Sequence, residues 1–102
     1  MNAYNDKGLK HGPWEEYWHN GNLMYKGNFI NGNLHGLFVY HWSNGNLMYK
    51  VNFVHGKKHG LYERYWYNGN LGYKENVVNG KLHGLHERYL SNGKLNLKQY
   101  YL

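Results

Sequence analysis

Aromatic and aliphatic residues alternate with polar ones in short runs along the chain, and Gly-containing pairs interrupt the alternation about every dozen residues. Alternation with period two marks strands that bury one face, whereas the three- and four-residue recurrence a helix needs is missing. Strands are expected near 13–19, 22–30, 37–43, 46–54, 61–67, 70–78, 85–91 and 94–102. Asn20-Gly21, Asn44-Gly45, Asn68-Gly69 and Asn92-Gly93, each 24 residues after the last, join these strands in pairs. Asn-Gly suits a two-residue hairpin turn in which both central positions take positive φ. A fixed period of this size defines a repeat protein. After a lead-in over 1–6, the units run 7–30, 31–54, 55–78 and 79–102, as one domain. Each opens with a Gly-x-x-His-Gly loop carrying His11, His35, His59 or His83.

A two-residue loop at Asn20-Gly21 places His19 opposite Asn22, Trp18 opposite Leu23, Tyr17 opposite Met24, Glu16 opposite Tyr25 and Glu15 opposite Lys26. The same count pairs Glu63 with Lys74 and Glu87 with Lys98, so opposite charges meet within three hairpins. One face then carries Trp14, Phe38, Tyr62 and His86, the Trp18, Trp42, Trp66 and Leu90 column, and the Tyr25, Tyr49, Tyr73 and Leu97 column. It also carries Phe29, Phe53, Val77 and Tyr101. The other face is mixed. The expected fold is all-β: a single-layer, twisted antiparallel meander of about eight strands built from stacked β-hairpins. No segment remains to cover its aromatic face, so either the sheet curls until its aromatics pack together or two chains bury that face between them.

The 102 residues contain no Cys, which excludes disulfides and thiolate metal sites and makes a cytoplasmic setting the expectation. No signal-peptide pattern opens the chain and no apolar run is long enough for a transmembrane segment. A net charge of +6 favours anionic partners. Much of it gathers at the His-Gly loops, where Lys10, His35, Lys57, Lys58, His59, Lys81 and His83 form a candidate anion-binding rim; Lys7 adds to it. The histidines invite a metal reading. Equivalent positions two strands apart are separated by roughly 9–10 Å, too far for easy sharing of one ion, so no metal site is expected and a loop-capping role is preferred. No cofactor is expected either. Nucleophilic catalysis has little to work with: Ser43 and Ser91 precede turns, and the acids left over from the Lys pairs are Asp6, Glu16 and Glu75, which are scattered. The protein reads as a non-enzyme. Glu16 interrupts the column of Tyr40, Arg64 and Arg88. It serves either as an end-unit solution where solvent reaches or as the partner of an Arg from a second chain.

The segment from Tyr25 to Gly45, with Tyr25-Lys-Gly27, Asn31-Gly32, His35-Gly36 and Asn44-Gly45 in order, resembles a MORN repeat. It recurs at 49–69 and 73–93 with partial copies at both ends, although Gly27 becomes Val51 and Glu75. The stretch from Gly12 to Gly21 looks more like the variant repeats common in bacteria and large DNA viruses. The resemblance implies a stacked-hairpin interaction module, often a dimer or scaffold, with acidic phospholipid binding and antitoxin-like inhibition as alternatives.

The functional expectation is therefore a self-associating or protein-binding scaffold, with a homodimer as the expected state. Its candidate interface residues are Trp14, Trp18, Phe38, Trp42, Tyr62, Trp66, Leu97 and Tyr101, together with the outer edge of the last strand. The alternative from another class is an anionic ligand, such as a nucleotide, phosphate or acidic phospholipid, held by the rim or by aromatics with Arg64 and Arg88. No sequence-specific nucleic-acid binding is expected.

Overall fold

The computed structural model describes residues 2–101, whose regular structure is all strand. The strands are β1 (Ala3–Tyr4), β2 (Lys10–Tyr17), β3 (Leu23–Ile30), β4 (Asn33–Leu34), β5 (Gly36–His41), β6 (Leu47–Val54), β7 (Lys57–Tyr65), β8 (Leu71–Val78), β9 (Lys81–Tyr89) and β10 (Leu95–Tyr101). They form one open antiparallel sheet in chain order from β1 to β10, except that β4 branches off and pairs only with β3. The count is ten rather than eight because the lead-in supplies β1 and because β4 is cut from β5 at His35. Extents of 47 × 37 × 12 Å leave one layer, since a second sheet would need about 10 Å more.

The turns differ from expectation. At Asn20-Gly21 only the glycine has positive φ, the Gly21 N–H donates to the Trp18 carbonyl at 2.9 Å, and the Trp18 N–H donates to Asn22 at 2.8 Å. This is a three-residue loop, a type I turn closed by a left-handed glycine. The same bonds recur at Trp42, Trp66 and Leu90. Its extra residue moves the alignment by one, so Tyr17 faces Leu23 rather than Met24, and Met24 is then left over as a bulge. The two displacements cancel: beyond the bulge Glu16 faces Tyr25 and Glu15 faces Lys26, as the simpler count requires. Asn20 stays out of the left-handed region because its Oδ1 accepts the Asn22 N–H at 2.9 Å, a side-chain turn competing with the backbone one. Two-residue turns with both φ positive occur instead at Asn31-Gly32, His55-Gly56 and Asn79-Gly80, at the opposite rim.

Between hairpins the alignment slips again. Lys50 faces Glu63 but Asn52 faces His59, which leaves surplus chain around Gly60, at φ 89°. Glu75 faces His86 and Val77 faces Leu82 in the same way, around Gly84. The His-Gly signature thus marks a bulge, and His11, His59 and His83 lie inside strands rather than in loops. The charges also pair differently. Lys50 reaches Glu63 at 3.4 Å and Lys74 reaches Glu87 at 3.6 Å, so each Glu bonds the Lys of the preceding hairpin, not its own. Either neighbour is in register, and such exposed pairs are worth about 0–1 kcal/mol, too little to fix the choice from sequence.

One face holds the buried residues Trp14, Phe38, Val51, Tyr62, Val77 and His86. Within one chain the aromatics pack on one another: Tyr25, Tyr40 and Tyr49 stack at 5.9 and 5.6 Å with their planes nearly parallel. Val51, Tyr62 and Val77 form the tightest cluster, with Tyr49, Phe53 and Tyr73 against it.

Candidate functional site

The row Glu16, Tyr25, Tyr40, Tyr49, Arg64, Tyr73, Arg88, Leu97 crosses the sheet in register. After Glu16 three tyrosines follow one another; arginines then take alternate places. The Arg64 guanidinium lies over the Tyr49 ring at 5.9 Å and that of Arg88 over Tyr73 at 5.7 Å, continuing the stack with planar cations. Burial, then the neighbouring Tyr62, holds the Tyr49 and Tyr73 hydroxyls above the usual phenol range. Among the described residues neither arginine is within ion-pair distance of a side-chain carboxylate. Both line a groove of about 410 Å³ whose walls include Trp42, Trp66, Gly72, Tyr73 and Leu90.

His86, 4% exposed, lies between Glu75 and Arg88. Glu75 Oε2 approaches Nδ1 at 2.8 Å, close in distance though bent in approach, and Arg88 Nε–H donates to Nε2 at 3.3 Å. At the other end Glu16 accepts the Trp14 indole N–H at 2.9 Å within one chain.

A set of contacts that sequence reasoning missed grips each unit to the next. The indoles of Trp18, Trp42 and Trp66 donate to the carbonyls of His41, Tyr65 and Tyr89 at 3.1, 3.3 and 3.0 Å. Asn20 and Asn22 both donate to Ser43, Asn44 and Asn46 to Tyr67, and Asn68 and Asn70 to Ser91. The signal was present: Trp and the second Asn recur through three units and give way together to Leu90 and Lys94 in the fourth.

The candidate interface residues are dispersed. Trp14, Phe38 and Tyr62 are core of the single chain, Trp18, Trp42 and Tyr101 are half-buried, and Trp66 and Leu97 are 43% and 41% exposed. At the rim, Lys57, His59, Lys81 and His83 are exposed. Lys10 and Lys58 instead fold over the rings of Trp14 and Tyr62 at 4.8 and 4.2 Å. His35 sits 6.2 Å from the His55 ring, and His11 accepts the Asn31 N–H at 3.3 Å, the one loop-capping bond seen in this column. No group of three or more metal-ligating side chains gathers among the described residues.

The two sheet edges are unlike. Beside β2, the Asn2 side chain donates to the Glu15 carbonyl at 2.6 Å and accepts its N–H at 2.7 Å, standing in for a strand next to β1. β10 has no outer neighbour, and Leu95, Leu97 and Tyr100 along it are exposed.

Consecutive hairpins gripped by side chains at fixed positions define a stacked-hairpin repeat protein. The MORN repeat variant model matches residues 10–31, 34–55, 58–79 and 82–102, and the chain belongs to that family. Its repeats are a non-catalytic type that commonly serves as protein- and membrane-binding modules. Comparison with curated proteins finds no match. No helix among the described residues is long and apolar enough to cross a membrane.

Proposed function

We propose that this protein is a non-enzymatic interaction scaffold that self-associates through the outer edge of β10. The observation that carries the proposal is the difference between the edges: Asn2 and β1 close one, while β10 offers unpaired backbone groups beside exposed Leu95, Leu97 and Tyr100. Leu90 and Lys94 stand where Trp and Asn reach onto the next unit, so the side-chain grip does not extend past β10. Antiparallel pairing of two β10 strands needs only the backbone. A two-fold axis at Leu97 sets that residue against its own copy and Lys98 against Asn96, which keeps the two lysines from facing each other.

Light scattering at tens of micromolar gives a dimer if this is right. Leu95→Lys with Tyr100→Lys, which puts charge on the edge without touching the buried row, gives a monomer of unchanged circular dichroism. A monomeric wild-type chain overturns the proposal.

A further inference from the structure

Comparing equivalent positions shows where one unit departs from the others in a way that opens space. The bulged residue after each Asn-Gly turn is Met24 in the first unit and Met48 in the second, but Gly72 in the third. Gly72 is buried and its φ is outside the left-handed region, so what favours glycine there is close approach rather than conformation. A Cβ on it would meet the Arg64 carbonyl at 3.1 Å and the Trp66 indole at 3.4 and 3.6 Å. Gly72 thus lets the Arg64 carbonyl and the Trp66 indole pack against bare backbone, and Leu90, where earlier units have Trp, lines the groove on its far side.

The same two units change the charge. Glu16 and Tyr40 become Arg64 and Arg88, both lining the opened groove and both without a carboxylate partner among the described residues. Arg88 is held by His86, which leaves its terminal nitrogens free to point at a ligand. The two arginines occupy equivalent places two strands apart, roughly 9–10 Å. The groove's volume, about 410 Å³, lies within the range of small-molecule sites, about 300–1,000 Å³.

We infer that this groove is a binding site for a small aromatic anion, a planar ring carrying a phosphate, no larger than a mononucleotide. Trp66, 43% exposed, supplies a π face for the ring, and Arg64 and Arg88 supply forked donors for the phosphate. The arginine row also has a purely structural role in continuing the tyrosine stack, but that role does not call for the loss of the terminal Trp. The site is separate from the proposed β10 pairing, so either idea can fail alone.

The test is tryptophan fluorescence titration of the full chain with 1-naphthyl phosphate, adenosine 5′-monophosphate and inorganic phosphate. The expected result is saturable quenching and a raised melting temperature with at least one aromatic phosphate below about 1 mM, and neither effect with inorganic phosphate. Gly72→Met, which restores the residue of the earlier units and fills the groove, should weaken binding at least about tenfold; Arg64→Gln should do the same while leaving the groove open. Absence of saturable quenching by both aromatic phosphates overturns the inference. So does affinity that survives both substitutions, and if Gly72→Met does not fold, Arg64→Gln decides alone.

Discussion

Three equivalent contacts between neighbouring hairpins are filled by different but matched pairs: Gly27 with Phe38, Val51 with Tyr62, and Glu75 with His86. In the first, a Cβ on residue 27 would come within 2.7 Å of the Phe38 ring, so the small partner is required. The second is all apolar apart from a phenol tip, and the third replaces both members with polar ones. Transplanting the second pair onto the third tests whether each behaves as a unit. Glu75→Val alone takes away the carboxylate that lies 2.8 Å from the buried His86 Nδ1 and leaves that nitrogen facing an apolar side chain, a cost of about 1–3 kcal/mol. His86→Tyr alone leaves the Glu75 carboxylate, its side chain 14% exposed, without its ring partner, again about 1–3 kcal/mol. The double variant removes both unsatisfied groups and recreates Val51 with Tyr62, so it should lie within about 1 kcal/mol of wild type. Urea unfolding of the four proteins, with m unchanged, gives the coupling free energy. Single-variant losses that add to within about 0.5 kcal/mol in the double variant would falsify the matched-pair account.

Two further outcomes follow from the same contacts. Trp42→Phe keeps a ring but removes the donor to the Tyr65 carbonyl, and should cost about 0.5–1.5 kcal/mol in urea unfolding; stability equal to wild type refutes the turn-side grip. Burial raises the folded-state pKa of Tyr49 and Tyr73 above the ordinary phenol value of 10.0, so between that value and the raised one the folded chain binds more protons than the unfolded chain. Their contribution is therefore complete below pH 10.0 and declines as pH rises above it, visible as a falling melting temperature with late tyrosinate absorbance; stability flat across that window refutes it.

The strand pattern and the 24-residue period were legible because a face buried on one side imposes alternation and each unit repeats the same packing problem. The turn was not legible from its dipeptide. Asn20-Gly21 and Asn31-Gly32 share the same two letters, yet the first forms a three-residue loop and the second a two-residue one. What separates them is beyond the turn: Asn20 has Asn22 to cap and Ser43 of the next unit to reach, while Asn31 sits between directly paired Ile30 and Asn33. The register of Glu15 with Lys26 came out as expected only because the longer loop and the Met24 bulge offset each other. Two equal and opposite errors in local geometry leave the distant strand in place, so agreement of register is weak evidence for the type of a turn.

Candidate sites were harder to read for a related reason. A column of four identical residues draws attention, but in a repeat protein identity across units reports the shared packing problem: the His-Gly pairs mark bulges, and Lys10 and Lys58 cover rings. Departures carry more information about binding, because the scaffold does not need them. Gly72 for Met, Leu90 for Trp, Arg64 for Glu or Tyr, and Lys94 for Asn all fall in the second half of the chain. Arg64, Gly72 and Leu90 meet in one groove, whereas Leu90 and Lys94 together end the side-chain grip beside β10. Both proposals, the β10 pairing and the arginine groove, therefore fall at one end of the sheet, while Asn2 and Glu16 make their hydrogen bonds at the other.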